Sequence, residues 1–205
     1  MSYEKSKFEN KVKKRKIEEL IVDRMKEERV SGSYVGLPGP TLKTHYENWS
    51  RLVPSCRDFI SYDIDKTVTQ QQRVDLKDMD VDNVKIYKRD IFQCYKQAPN
   101  NIAILDMDLC ETLKSSFIKY IDLVDKLFQK EKFNWAVGFT LTYTLRKDNM
   151  QAYLAPSLMS LLNTIYTKYG YVKGSYNEKH YRDTNGAPMC TMYWTVKKRN
   201  TKNDK

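Results

Sequence analysis

The run Asn101-Ile102-Ala103-Ile104-Leu105, closed by Asp106-Met107-Asp108, constrains the fold more than any other segment. A short apolar run without alternation is buried on both faces, as strands of a covered parallel sheet are. The flanking segments agree with this. Ser33-Tyr34-Val35, Phe59-Ile60-Ser61-Tyr62 and Val84-Lys85-Ile86-Tyr87 read as further short strands, and Trp135 to Leu145 as a fifth. Helical patterns separate them: roughly 8–28, Thr41 to Leu52 with Thr41 as N-cap, a polar stretch over 66–78, Glu111 to Gln129, and Met150 to Tyr169. In Glu111 to Gln129 the apolar positions Leu113, Phe117, Ile118, Ile121, Val124, Leu127 and Phe128 lie at helical spacing. Tyr171 to Tyr181 and Met189 to Lys197 close the chain as two strands joined through Asn185-Gly186, a hairpin signal. Strands alternating with helices give a largely parallel sheet covered on both faces, here with an antiparallel hairpin at the C-terminal end and a helix at the N-terminal end.

In open sheets of this kind, ligands bind beyond the carboxyl ends of the strands, so the residues there carry the functional reading. The first strand runs into Gly36-Leu37-Pro38-Gly39-Pro40. The second ends at Asp63-Ile64-Asp65, the third at Arg89-Asp90-Ile91-Phe92 and the fourth at Asp106 and Asp108. A glycine turn lets the backbone approach a ligand closely, and an acid at the second strand end can accept hydrogen bonds from ribose hydroxyls. A Pro-Gly turn also forms without a ligand, and Asp is common after strands as a loop former. Agreement at four strand ends in one chain favours a nucleoside-type pocket.

In this order the motifs resemble the class I, Rossmann-like S-adenosylmethionine-dependent methyltransferases, over roughly residues 17–197. The resemblance rests on element order, including the terminal hairpin, and on Tyr34-Val35-Gly36-Leu37-Pro38-Gly39, Tyr62-Asp63-Ile64-Asp65, Asp90-Ile91-Phe92 and Ile104-Leu105-Asp106-Met107-Asp108-Leu109-Cys110. It implies one Rossmann-like doubly wound α/β domain that binds S-adenosylmethionine. Gly36 and Gly39 would flank the methionine moiety, Asp63 or Asp65 would hold the ribose, and Asp90 with Ile91 or Phe92 the adenine. Asp106 would face the transferred methyl group, with Asp106 or Asp108 orienting the acceptor or taking its proton. Two features depart from the family pattern. No acid precedes Gly36 in the glycine motif, where Pro38 and Pro40 also lack N–H donors, and no Pro-Pro-aromatic sequence follows Asp106. Cys110 lacks the Pro-Cys context of a methylating nucleophile and reads as a packed thiol.

Charge points to the partner. The net charge is +10, but it is concentrated at the ends. Residues 1–16, with Lys11, Lys13, Lys14, Arg15 and Lys16, carry +5, and residues 197–205, with Lys197, Lys198 and Arg199, carry +4. A basic N-terminal arm (1–16) and a basic C-terminal tail (198–205) around a nearly neutral domain suggest a nucleic-acid partner, DNA or RNA. The rival reading is a catalytically inactive Rossmann-like module that grips nucleic acid with these arms. A nicotinamide-dependent oxidoreductase fits less well, because G-x-G-x-x-G is missing. The four cysteines form no C-x-x-C pair and the two histidines no metal-binding pair, so no metal site is expected. The basic, polar N-terminal residues and the lack of a long apolar stretch lead to the expectation of a soluble cytoplasmic chain without a membrane partner. Its Lys- and Asn-rich, Gly-poor composition is compatible with a viral or mobile-element origin.

Overall fold

The structure is a computed structural model that describes residues 19–51, 58–145, 151–182 and 186–199, apart from the side chains of residues 110 and 151–153. Helix α1 covers residues 19–27. It is followed by β1 (Ser33–Gly36), α2 (Leu42–Ser50), β2 (Phe59–Asp63), α3 (Lys66–Lys77) and β3 (Val84–Lys88). A 3-10 turn (Ile91–Lys96) leads into β4 (Ile102–Thr112), α4 (Leu113–Gln129), β5 (Phe133–Thr144), α5 (Gln151–Lys168), β6 (Tyr171–Arg182) and β7 (Pro188–Lys198). The first half of the expected N-terminal helix, Lys11 to Lys16, Leu52, Cys56, Asn185 and residues 200–205 lie outside the described residues.

The strands form one sheet in the order β3-β2-β1-β4-β5-β7-β6. The first five are mutually parallel, and β7 is antiparallel to both β5 and β6. Chain order reverses between β1 and β4, which opens a crevice beyond their carboxyl ends. The apolar run of β4 is fully buried, and the two faces of the sheet carry separate cores. On one face Leu105, Met107, Phe139 and Trp194 pack under α4 and α5, with the Trp194 and Phe139 rings stacked 5.4 Å apart. On the other, Ile104, Tyr34 and Phe59 pack under α1 and α2 with Met25 and Trp49. Such burial on both faces is the physical counterpart of unalternated strand sequences.

Two expectations are corrected in detail. The fourth strand does not stop at Leu105; β4 continues through Thr112. Met107 and Leu109 enter the core while Asp106, Met107 and Asp108 pair with Thr140, Leu141 and Thr142 of β5, so alternation extends the strand past the apolar run. In α4 the buried stripe is Leu113, Tyr120, Leu123, Val124, Leu127 and Phe128, whereas Ile118 is 72% exposed. Thr41 stands at the N-cap of α2, yet its side chain makes no capping hydrogen bond. Among the described residues, no helix is long and apolar enough to cross a membrane.

Leu127, near the C-terminal end of α4, is fully buried in the core between α4 and the sheet. Leu127→Ala is expected to cost about 2–5 kcal/mol, read as a lower urea midpoint at unchanged m-value. A loss below about 1 kcal/mol would mean that the α4 face is loosely packed.

Candidate active site

A cavity of about 630 Å³ lies at the crevice beyond β1 and β4. Its walls come from the loop Leu37 to Thr41, the ends of β2 and β3, Val68 of α3, Ile91 and Phe92 of the 3-10 turn, the C-terminal half of β4, Lys119 of α4, and Tyr181 with Met189 from the β6–β7 hairpin.

The loop is held from below. Gly36 pairs with Asp106, and the Leu37 N–H donates to the Asp106 carbonyl at 3.0 Å. A Cβ at Gly36 would lie 2.5 Å from the Tyr34 hydroxyl and 2.7 Å from that carbonyl, so glycine is required for close packing. Gly39 adopts the left-handed conformation, with φ +64°. Its carbonyl accepts from Gln72 Nε2 at 2.6 Å, and Gln72 Oε1 accepts from Ser61 at 2.8 Å. Gln72 and Ser61 are fully buried, which ties the glycine loop to both α3 and β2. The polar pattern of α3 gave no signal for that amide.

The strand-end acids divide into two groups. Asp63, Asp90, Ile91, Phe92 and Asp108 line the cavity with Gly39. One Asp63 oxygen accepts from the Asp65 N–H at 2.8 Å, and one Asp90 oxygen accepts from the Phe92 N–H at 3.0 Å. Asp65 instead caps α3, accepting from Thr67 N and Val68 N at 2.6 and 3.3 Å. Asp106 is set inside the sheet. Tyr34 donates to its Oδ2 at 2.6 Å and Thr140 to its Oδ1. Burial raises its pKa, against the lowering pull of His45, Thr140 and Tyr34; Asp108 adds to the rise. Asp106, expected to face the reacting centre, is held by two hydroxyls within the sheet and is not among the residues that line the cavity, whereas Asp108 of β4 is.

Arg89, Glu111, Lys119, Tyr181 and Met189 also line the cavity and were not anticipated as site residues. Lys119 lies over the Phe92 ring, 5.6 Å from its centroid. Glu111 accepts a hydrogen bond from buried Ser116. Four acids therefore face two bases in the lining, an excess of negative charge. Cys94 and Cys190 are buried free thiols, as expected for the cysteines in general. Burial pushes the Cys94 thiol up to about 12.

The C-terminal basic residues lie elsewhere. Lys197 pairs with Ala136 near the start of β5, and Met189 pairs with Thr144 at its end beside the cavity. At about 3.3 Å per residue, Met189 and Lys197 are separated along β7 by roughly 25 Å. Lys197 forms an ion pair with Glu28, and the Arg199 N–H donates to the Gly170 carbonyl at 2.8 Å.

This chain has the class I, Rossmann-like methyltransferase fold. It is similar to M. jannaschii TYW2, solved in complex with AdoMet, at 14% identity and TM-score 0.56, covering 87% of this chain and 74% of that one. It is similar also to the N-methyltransferase NodS from Bradyrhizobium japonicum WM9, at 9% identity and TM-score 0.54, covering 89% and 94%. A third similar structure is the precorrin-6y C5,15-methyltransferase from Geobacter metallireducens GS-15, at 10% identity and TM-score 0.53, covering 90% and 87%. No family model and no curated protein sequence matches the chain.

Because burial raises the Asp106 pKa above its ordinary 3.8, the folded state holds this proton more tightly than the unfolded state does. Wild-type stability should therefore fall as pH rises from the unfolded value through the raised folded one. Asp106→Asn cannot titrate, so the urea midpoint of the variant minus that of wild type should grow over that interval and then level off. A difference independent of pH between 4 and 8 would refute the assignment.

Proposed function

We propose that the protein is an S-adenosylmethionine-dependent methyltransferase acting on a nucleic acid. The observation that carries the catalytic half is the cavity itself, at the sheet's order reversal, with Asp63 and Asp90 at successive strand ends and an acidic excess in its lining. That chemistry suits a cofactor bearing a sulfonium and an ammonium. The volume and the apolar side chains of Val68, Ile91, Phe92 and Leu109 suit its adenosine portion. The shared fold of AdoMet-bound M. jannaschii TYW2 supports the same choice.

In this reading Asp63 accepts from the ribose hydroxyls, and Asp90 with Ile91 and Phe92 holds the adenine. The Leu37–Thr41 loop with Gly39 borders the methionine portion. Gly36 and Asp106 act as positioning residues beneath the loop, and Asp65 acts by capping α3. When bound, the cofactor supplies a methyl group on a sulfonium, a good leaving group. The protein's task is then alignment, which closes distance and angle for an in-line displacement. Asp108 orients the acceptor's donor group and takes its proton where the acceptor must lose one.

Nucleic acid as the acceptor is supported by basic residues along the outer strand. β6 is exposed over most of its length and displays Lys173, Lys179 and Arg182 with Tyr176. It runs from Tyr171, paired with Lys198, to Arg182, paired with Pro188 at the cavity end. Twelve residues at about 3.3 Å span roughly 35 Å, the length of about ten nucleotides at 3.4 Å each. Lys197, Lys198 and Arg199 would hold one end of such a strand, with Lys11, Lys13, Lys14, Arg15 and Lys16 of the N-terminal arm adding to the same attraction. Pyrococcus horikoshii PH1948, described as a candidate RNA methyltransferase, shares the fold at 9% identity and TM-score 0.56, covering 90% of this chain and 85% of that one. A second reading, an inactive nucleic-acid-binding module, is favoured by Pro38 and Pro40, which remove N–H donors from the glycine loop.

Calorimetric titration separates the two. Micromolar binding of S-adenosylmethionine is expected, weakened about tenfold or more in Asp63→Ala and in Asp90→Ala. Asp65→Ala should keep the affinity but lose about 0.5–2 kcal/mol of stability. No heat at about 1 mM cofactor would exclude the enzyme reading.

Oligonucleotide binding tests the track. For a ten-nucleotide strand, Lys198→Gln with Arg199→Gln should reduce the slope of log affinity against log salt by about 0.7 per charge removed. A five-nucleotide strand seated at the cavity should show no such change, and equal slopes for wild type and variant at both lengths would dismiss the track.

A further inference from the structure

The β6–β7 hairpin brings together three metal-ligating groups that the proposed methyl transfer does not use. Glu178 and His180 alternate on β6 and so share a face, and Cys190 on β7 stands directly opposite His180 in the register. His180 Nε2 lies 3.3 Å from Glu178 Oε1 and 3.9 Å from Cys190 Sγ. All three candidate donor atoms lie within 4.8 Å of one another.

An exposed Glu–His contact alone would be an ordinary surface pair, worth under about 1 kcal/mol. The thiol changes the reading, because it is fully buried yet points to the imidazole from the facing strand. In a tetrahedral zinc site, bonds of about 2.3 Å to sulfur and about 2.0–2.2 Å to nitrogen and oxygen put neighbouring donor atoms roughly 3.3–3.6 Å apart. The observed spacings reach that range with small side-chain rotations, and Glu178 and His180 are exposed and free to make them.

The outer partners are also in place. Tyr176 donates to the other Glu178 oxygen at 2.9 Å. Tyr143, on the strand beyond β7, stands opposite Cys190 in the register and hydrogen-bonds it. Such support orients ligands and raises their affinity. We propose that Glu178, His180 and Cys190 bind a divalent transition-metal ion of the zinc type, with solvent supplying the fourth ligand. A thiolate, an imidazole and a carboxylate are too soft a set for Mg²⁺ or Ca²⁺. The metal would clamp the hairpin one register step from Tyr181 and Met189 at the cavity wall.

Binding breaks the Cys190 S–H bond, forms the sulfur–metal bond and releases the proton to solvent.

Co²⁺ is the probe, added to the full chain under reducing conditions. One equivalent should produce a thiolate-to-cobalt charge-transfer band and the visible bands of a four-coordinate ion, both displaced by Zn²⁺ and unaffected by Mg²⁺. Cys190→Ser should abolish the charge-transfer band, and Cys94→Ser should keep it. His180→Gln changes an exposed side chain and leaves the fold intact, as circular dichroism would verify. It should weaken Co²⁺ binding more than about 100-fold and remove the rise in Tm that Zn²⁺ gives wild type. No charge-transfer band up to about 1 mM Co²⁺, an undiminished Co²⁺ affinity in His180→Gln, or a band that survives in Cys190→Ser would overturn the site.

Discussion

The approach of β1 to β4 at Gly36 and Asp106 is the contact on which the crevice depends. Chain order reverses between these two strands, so the helices that follow them leave to opposite faces and the space between stays open. The pairing runs Val35 to Leu105 and Gly36 to Asp106, with both strands buried. At Gly36 the volume of a side chain is already taken by the Tyr34 hydroxyl and the Asp106 carbonyl. That hydroxyl is held by the Asp106 carboxylate, which Thr140 of β5 holds from the other side. One buried acid thus links three neighbouring strands. Its desolvation costs stability, and two donated hydrogen bonds offset part of that cost. The result is a fixed floor under the glycine loop.

Above this floor, structural and ligand-binding uses of an acid are compatible. A carboxylate has two oxygens and several lone pairs. Asp63 and Asp90 each spend one oxygen on a backbone N–H two residues on, which sets the turn leaving β2 or β3. The same turn presents the carboxylate to the cavity. Asp65 shows the other outcome, its Oδ1 shared by two N–H groups of α3. The two acids of Asp63-Ile64-Asp65 are separated by this division.

That division explains how far the sequence could be read. The strands and the helices between them were legible from apolar runs such as Ile102–Leu105, whose burial depends on composition more than on partners. Asp63 and Asp90 were legible because a strand end fixes where the next side chain can go. The end of β4 was misread because an acid after an apolar run looks like a terminus, while Met107 and Leu109 carry the strand onward past Asp106. Lys119, Tyr181 and Met189 reach the cavity from α4 and the hairpin, elements that local pattern cannot dock against β2 and β3. The group Glu178, His180 and Cys190 escaped for a related reason. Its spacing matches no metal motif, and only the register His180↔Cys190 brings the thiol to the imidazole.

Charge separation completes the physical picture. The chain carries +10, yet Asp63, Asp90, Asp108 and Glu111 outnumber Arg89 and Lys119 around the cavity. Basic and acidic regions in one small domain would cancel if they were adjacent. The roughly 25 Å along β7 between Lys197 and Met189 is about three Debye lengths at physiological salt, where that length is about 8 Å. The C-terminal cations are therefore largely screened from the cavity, and Lys197 is in addition paired with Glu28. A cationic small molecule and a polyanion can then be attracted to the same molecule at different places. The exposed strand β6, with Lys173, Lys179 and Arg182 along it, is the surface that joins the two regions.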